Sequence, residues 1–320
     1  MKKYEPIVSC KYGKLADKVK LEPDFFTGFQ PERRQEIVKK EAEFYHSITE
    51  PYSVDDQLDK YYIQVTAKDG YSIPVKVYMP KKRNEKIPAL VFIHGGGFMT
   101  CSVETHDFVP SYIAAKTGSC VYNVEYRLAP EYKFPVGVED CYEVLRWVFD
   151  HAEELGIDRK RLMVGGDSSG GNFSAVLTLL SRERKEFNIE KQILIYPALD
   201  FSGTIYKKSA EVYTMVGSDE DGSSPMLDAY LKDVKKEVLN PYVSPLLAEN
   251  LEELPQALFI EAECDALIDD GLIYAKRLQD AGVCVECHIY IGMPHAFILR
   301  TYEETFQALD EICRFVQNEN

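Results

Sequence analysis

The sequence contains no apolar run long enough to cross a membrane as a helix. Such a helix needs about 20 consecutive, mostly apolar residues, and every apolar run here is shorter. Residues 1–30 include Glu5, Glu22 and Asp24 and lack the apolar segment of a signal peptide, so we expect no export signal. We therefore expect a cytoplasmic protein without a membrane partner.

The chain has fewer basic residues than acidic ones. The chain has 37 lysines and arginines against 52 aspartates and glutamates, which gives a net charge of −15. Phosphate backbones and anionic lipid headgroups are repelled by a protein of this charge. A nucleic acid or a membrane surface is therefore not an expected partner.

The cysteines do not form a disulfide or metal-binding pattern. Eight cysteines are scattered through apolar segments, and without an export signal we expect reduced thiols. Cys284 and Cys287 form a C-x-x-C sequence, but they fall in a predicted strand region, residues 283–291, where positions three apart face opposite sides. No His, Cys and carboxylate cluster has the spacing of metal ligands, so we expect no metal site.

From residue 61 onward, short strand-like segments alternate with segments of helical periodicity. This alternation predicts an α/β fold, with a mostly parallel central sheet flanked by helices. The predicted strands are residues 61–66, 73–78, 89–93, 119–124, 162–164, 192–196, 257–262 and 285–291. The predicted helices are residues 31–45, 137–151, 171–180, 270–281 and 302–316.

Two segments do not follow the alternation. One is residues 1–55, and the other is an insertion at about residues 200–240, within a stretch between strands that is too long for a bare loop. We predict that both form a helical cap over one edge of the sheet, and that residues 56–320 form the main domain. Caps of this kind exclude water and shape a binding pocket.

The sequence Gly166-Asp-Ser-Ser-Gly170 is a G-x-S-x-G motif between a predicted strand and a predicted helix. In this context the serine occupies a strained turn that small flanking residues allow to close. The turn exposes the hydroxyl, and the N-terminus of the following helix favours developing negative charge. We therefore predict that Ser168 is a nucleophile.

A glycine-rich loop, His94-Gly-Gly-Gly97, directly follows the predicted strand 89–93. Glycines let backbone N–H groups turn into a cleft without obstruction by Cβ atoms. Such donors stabilise the oxyanion of a tetrahedral intermediate. The loop therefore predicts an oxyanion hole.

A serine nucleophile needs a base, and only His288 and His295 follow Ser168 in the chain. In α/β-hydrolases the order is serine, acid and then histidine, each at the C-terminal end of a strand. His288 lies inside a predicted strand, which favours a structural role. His295 lies in the loop just after that strand, and we predict that it is the base.

The acid is expected after the predicted strand 257–262. Asp265 is the first carboxylate clearly in the loop, and we predict that it orients the base. Glu263 is the second candidate, although it is still at the end of the strand. Asp269 and Asp270 are better explained as caps of the following helix.

These motifs together resemble the hormone-sensitive-lipase-like esterases, the branch of α/β-hydrolases that includes bacterial acetyl esterases. The resemblance covers residue 60 to the C-terminus. The matching segments are His94-Gly-Gly-Gly-Phe98, Tyr126-Arg-Leu-Ala-Pro-Glu131, Phe134-Pro135, Gly166-Asp-Ser-Ser-Gly-Gly-Asn172, Ser244-Pro-Leu-Leu-Ala248 and Asp265 through Asp269.

The resemblance implies a triad of Ser168, Asp265 and His295. It also implies an oxyanion hole formed by the backbone N–H groups of Gly96, Gly97 and Ser169. No metal or organic cofactor is implied, and the family's esterases mostly take short acyl chains.

Other matching positions are not implied to react. The resemblance implies scaffold roles for Glu131 and Asn172. Three positions depart from the family pattern: Ala266 replaces a usual proline, Ser169 a common alanine and Ala296 a usual glycine. None of these changes removes a reactive group.

The expected function is hydrolysis of small carboxylic esters. The alternatives are a ligand-binding homologue without catalysis and a serine peptidase or amidase. A homodimer through an exposed edge strand is possible. Large aromatic residues in the predicted cap either fill the cleft, which would favour short acyl chains, or pack against the main domain; they are Phe25, Phe26, Phe29, Tyr45, Phe201, Tyr206, Tyr213 and Tyr230.

Overall fold

The computed structural model describes residues 31–212 and 224–318. Within these ranges one eight-stranded sheet has the order β1-β2-β4-β3-β5-β6-β7-β8. The strands are β1 (Leu58–Thr66), β2 (Ser72–Pro80), β3 (Ile87–Ile93), β4 (Cys120–Val124), β5 (Ile157–Asp167), β6 (Lys191–Ile195), β7 (Gln256–Cys264) and β8 (Val285–Pro294). All eight predicted strands are confirmed in position.

The sheet is antiparallel only at one edge. The β1–β2 and β2–β4 pairs are antiparallel, and all pairs from β4 through β3 to β8 are parallel. The carboxyl ends of β3, β5, β7 and β8 therefore meet at one edge of the sheet. The glycine loop, the serine motif and the candidate acid and base all follow these four strands.

Helices cover both faces of the sheet. The longer ones are α1 (Pro31–Thr49), α2 (Phe108–Thr117), α3 (Val136–Asp150), α5 (Ser169–Arg184), α9 (Ile268–Asp280) and α10 (Glu303–Gln317); α4 (Ala152–Leu155) is one turn. Residues of α3 and α5 pack with Val91 and Val164 on one face. Residues of α2 and α10 pack with Leu90 and Met163 on the other. Adjacent strand residues thus serve opposite layers, which is why the stretches at residues 89–93 and 162–164 are apolar on both faces.

Helix α2 was not predicted. Six of its ten residues are buried, from Val109 to Ala114, so it has no continuous polar face. Without such a face the 3.6-residue periodicity that reveals surface helices is absent.

The segment between β6 and β7 contains three short helices in its described part: α6 (Ser209–Val212), α7 (Pro225–Tyr230) and α8 (Val234–Glu237). The prediction about a signal peptide in residues 1–30 falls outside the described residues, as do the aromatic residues Phe25, Phe26, Phe29 and Tyr213. No helix in the two described ranges has both the length and the apolar composition of a membrane span.

The C-x-x-C sequence is only partly in a strand. Cys284 is exposed and precedes β8, which starts at Val285, whereas Cys287 lies within the strand and is half-buried. The cysteines of the described ranges are all free thiols.

Candidate active site

Ser168 occupies the tight turn between β5 and α5. Its backbone angles are φ 53° and ψ −117°, a region that non-glycine residues rarely adopt. The flanking glycines are required because the carbonyl of Ile93 approaches closely: a Cβ at Gly170 would lie 2.0 Å from that oxygen, and one at Gly166 would lie 2.3 Å from it. The turn thus packs directly on the end of β3.

His295 connects Ser168 with Asp265. Its Nε2 lies 2.9 Å from Ser168 Oγ, and its Nδ1 lies 2.5 Å from Asp265 Oδ2. In the neutral tautomer that carries its proton on Nδ1, His295 donates to Asp265 and accepts from the serine hydroxyl. The structure therefore brings together all three predicted residues in hydrogen-bonding contact, from the ends of β5, β7 and β8.

The environment of His295 favours its protonated form. Burial by itself lowers the pKa of the imidazole, but the charge of Asp265 and its hydrogen bond raise it, and Asp167 adds to this effect. The net result is a pKa above the usual value of 6.5. An imidazole stabilised in this way is suited to take a proton during a reaction.

The other candidate acids have different partners. Glu263 is buried and accepts a hydrogen bond of 2.7 Å from the backbone N–H of Gly292. The neighbouring carboxylate of Glu261 is fully buried and has no hydrogen-bond partner among the described residues, and burial raises its pKa well above the usual value. In the described structure only Asp265, among the carboxylates considered, contacts His295.

Asp269 and Asp270 lie in the first turn of α9, as the expected helix start requires, but the expectation that their carboxylates cap this helix is wrong. The residue preceding α9, Leu267, has no side-chain cap. Asp270 instead accepts hydrogen bonds from the backbone N–H groups of Leu199 and Asp200. Asp269 accepts a hydrogen bond from the backbone N–H of Ser209, which lies in the same segment after β6. Both carboxylates are used for tertiary contacts because the segment after β6 crosses directly over the start of α9.

His288 lies on β8, away from the serine. Its Nε2 is 3.8 Å from a carboxylate oxygen of Glu286 and 3.9 Å from one of Glu311. The prediction that it is structural agrees with this position.

The glycine loop after β3 has the backbone conformation that glycine permits. Gly96 has φ 116° and Gly97 has φ 59°, and a Cβ at Gly96 would lie 2.3 Å from the carbonyl oxygen of Thr100. Among residues 31–212 and 224–318, the N–H groups of Gly96, Gly97 and Ser169 donate to no protein acceptor. An oxyanion hole requires N–H groups without an internal acceptor, and these three groups meet that requirement in the described structure.

A buried polar network supports this loop, and the sequence did not reveal it. The carboxylate of Asp167 accepts a hydrogen bond of 2.8 Å from Gly95 N–H, and His106 Nε2 lies 3.1 Å from the same oxygen. Burial raises the pKa of Asp167, but His106 and the N–H of Gly95 outweigh burial and hold the pKa below its usual value. On the other side, Tyr126 donates to the carbonyl of His94 at 3.0 Å.

Asp167 is part of the serine motif in the sequence, but its role depends on Gly95 and His106, which contact it in the fold. His106 lies far from the motif in sequence, in a stretch where no strand or helix was predicted. A buried charge at the end of a strand was the one available signal, since such a group needs a partner.

Glu131 and Asn172 make scaffold contacts, as the resemblance implied. Glu131 forms an ion pair of 2.8 Å with Arg34 of α1. The side chain of Asn172 donates to the carbonyls of Ala198 and Val243, at 2.7 and 2.9 Å. These contacts tie α1 and the segment after β6 to the main body.

Comparisons with known proteins agree with this geometry. The family model of the alpha/beta hydrolase fold matches residues 90–299. The chain is 36% identical to the arylesterase of Saccharolobus solfataricus over 72% of this chain and 74% of that protein. It is 33% identical to the ethyl acetate hydrolase of Pseudomonas putida over 83% and 82%.

A solved structure, the hyperthermophilic esterase from Pyrobaculum calidifontis, has a TM-score of 0.82 at 33% identity and covers 95% of each chain. The chain therefore belongs to the α/β-hydrolase family. Within that family it falls in the hormone-sensitive-lipase-like branch of bacterial and archaeal esterases, which confirms the resemblance and the predicted fold class.

Proposed function

We propose that this chain is a serine carboxylesterase that hydrolyses small carboxylic esters. The observation that carries the proposal is the unbroken hydrogen-bonded connection from Ser168 through His295 to Asp265. The arylesterase and the ethyl acetate hydrolase similar to this chain support the same reaction class.

The proposed reaction follows from the positions of these groups. Ser168 Oγ attacks the ester carbonyl carbon while His295 Nε2 takes the hydroxyl proton. The N–H groups of Gly96, Gly97 and Ser169 stabilise the oxyanion. His295 then gives its proton to the leaving alcohol, and the C–O bond breaks to leave an acyl-enzyme. A water molecule repeats the sequence and releases the acid.

The two alternative functions have less support. A ligand-binding homologue would not need the complete triad geometry, which this chain has. A peptidase or amidase uses the same triad, but the similar proteins named above are esterases. A ligand-binding homologue would release no nitrophenol from a nitrophenyl ester. A peptidase or amidase would cleave a matched nitroanilide.

We propose a preference for short acyl chains, although the cap aromatics support it less than expected. Tyr230 is buried with its ring stacked on Phe98 at 4.0 Å between centroids, and Tyr206 is 73% exposed. Neither fills a cleft. Phe201, 5.9 Å from Phe98, and Tyr45 are both half-buried and remain the candidates for limiting acyl length.

We further propose the predicted cap of residues 1–55 and about 200–240 on a main domain of residues 56–320, although residues 1–30 and 213–223 of this cap lie outside the described structure. The ion pair between Arg34 and Glu131 supports this for α1.

We also propose a cytoplasmic location, which the free thiols of the described cysteines support. A homodimer through the edge strand β8, whose Ile291 is 60% exposed, is proposed as well.

The decisive experiment measures nitrophenol release from p-nitrophenyl acetate by stopped flow. The wild type should show a burst of one equivalent per active site, followed by turnover. Ser168→Ala should remove the burst and lower turnover by a factor on the order of 10⁶.

The matched control is Ser174→Ala, which removes a buried hydroxyl from α5, the helix that follows Ser168; among the described residues this hydroxyl bonds only the carbonyl of Gly170. It should keep both burst and turnover. If purified Ser168→Ala kept a tenth of wild-type activity, the proposed nucleophile would be wrong.

A further inference from the structure

The loop that carries Asp265 is held by the beginning of the segment that follows β6. Hydrogen bonds and ion pairs that join residues 265–270 to another part of the described chain reach only His295 and residues 199–209. The acid of the proposed triad therefore depends on a segment that lies about sixty residues earlier in sequence.

Ser209 makes two of these contacts. Its hydroxyl donates to the carbonyl of Ala266 at 2.8 Å, and its backbone N–H donates to Asp269 Oδ2 at 2.9 Å. Ser209 is fully buried. One residue thus fixes the peptide between Ala266 and Leu267, one residue beyond Asp265, and the first turn of the helix that follows.

Lys207 makes the other anchor. Its ammonium lies 2.9 Å from Asp270 Oδ1 and 3.3 Å from Asp200 Oδ2, and both carboxylates are completely buried. The second oxygen of Asp270 accepts the N–H groups of Leu199 and Asp200. An ion cluster buried in this way has strict geometric demands, because moving one member leaves a charge without its partner.

The residues of the loop are buried, but their other polar contacts in the described structure lie within the loop itself. Inside it, Leu267 N–H donates to Asp265 Oδ1 at 3.0 Å, and Ile268 N–H donates to the Asp265 carbonyl at 3.3 Å. Ala266 lacks the ring of a proline, so its own side chain does not fix the backbone at this position. Contacts with other segments therefore contribute to the position of the loop.

We propose that Ser209 and Lys207 are positioning residues for the triad acid, holding Asp265 at hydrogen-bonding distance from His295. This inference rests on the proposed function. The contacts of Ser209 and Lys207 join a segment of the proposed cap to the main domain, and by this proposal they also affect catalysis.

The pH dependence of kcat distinguishes a residue that positions Asp265 from a residue that only stabilises the fold. The charged and titratable groups facing His295 are Asp265 and Asp167, with the ring of Tyr196 centred 4.8 Å away. Asp265 raises the pKa of His295, so loosening its loop lowers that pKa and moves the acid limb of the kcat profile to lower pH. A contact that only stabilises the fold leaves the limb in place.

The primary variant is Ser209→Ala, with kcat, KM and the pH profile measured on p-nitrophenyl acetate. Since a misplacement of 1 Å can cost about 100-fold, we expect kcat about 10-fold lower. KM should stay unchanged and the acid limb should move to lower pH. Ser209→Thr, which keeps the hydroxyl, should restore both. The burst amplitude measures the concentration of folded active sites. A loss of folded protein therefore lowers the burst amplitude and does not change kcat calculated per active site.

Ser181→Ala is the matched control. That buried hydroxyl also donates to a backbone carbonyl, that of Phe187, and in the described structure it bonds neither residues 199–209 nor residues 265–270. The variant should keep the wild-type kcat and acid limb. Lys207→Met is a second variant and should shift the limb in the same direction as Ser209→Ala.

The inference is overturned if folded Ser209→Ala keeps the wild-type kcat and acid limb, or if it loses kcat with the limb unmoved. Failure of the proposed function would look different. In that case the wild type would show no burst, or Ser168→Ala would remain active.

Discussion

Replacing Asp265 by asparagine removes a charge while keeping the size of the side chain, and the structure predicts how the new amide will orient. Asp265 Oδ1 accepts the N–H of Leu267 at 3.0 Å, so the amide oxygen of asparagine will keep that position. The amide nitrogen then faces His295 Nδ1, 2.5 Å away in the native pair. Two donors cannot share that contact, so Nδ1 must become the acceptor.

The consequence is the wrong tautomer of His295. With its proton on Nε2, the imidazole cannot accept the proton of Ser168, and no carboxylate remains to stabilise an imidazolium. In a serine-hydrolase triad this substitution lowers turnover by about 10⁴, which corresponds to about 5.4 kcal/mol of transition-state stabilisation. The folded state should survive, because the hydrogen bond to Leu267 is kept.

The assay is steady-state hydrolysis of p-nitrophenyl acetate across pH, with Glu263→Gln as the matched control. Glutamine keeps an oxygen that can accept the N–H of Gly292, which Glu263 now binds at 2.7 Å, so we expect less than a 10-fold loss. The reasoning is refuted if Glu263→Gln is the more damaging variant, or if Asp265→Asn keeps more than a tenth of wild-type turnover.

Three further predictions concern the wild type. Because the pKa of His295 is raised above 6.5 and the base must be neutral, kcat/KM should fall as the pH drops through a value above 6.5; an acid limb centred well below 6 would contradict the pairing with Asp265. Activity should survive EDTA, since the described residues include no group of three or more potential ligands arranged for a metal; loss that a divalent metal restores would count against this. On a panel of nitrophenyl esters, kcat/KM should peak from acetyl to butyryl and fall by octanoyl, because extra methylenes in a filled site cost about 1–3 kcal/mol; a maximum at ten or more carbons would show an open groove.

The parts of this protein that could be predicted from sequence depend on local geometry. A strand, a strained turn and a helix occupy consecutive residues, so the glycines around Ser168 show where the chain must bend and where other backbone approaches closely. The most buried parallel strand was visible for a similar reason, because residues 89–93 are apolar on both faces. The position of His295 beside the serine was also predictable, because it was one of only two histidines after the serine and the only one in a predicted loop.

Tertiary structure decided what depends on segments far apart in sequence. Glu263 and Asp265 are two residues apart, yet one binds the backbone of Gly292 and the other binds His295, because the path of β8 determines which carboxylate each group meets. Asp270 looked like a helix cap and is instead the partner of Lys207, which approaches from another segment. Local sequence reports backbone conformation, whereas the partner of a buried charge depends on how distant segments cross, and that is set only when the whole sheet and its helices are packed.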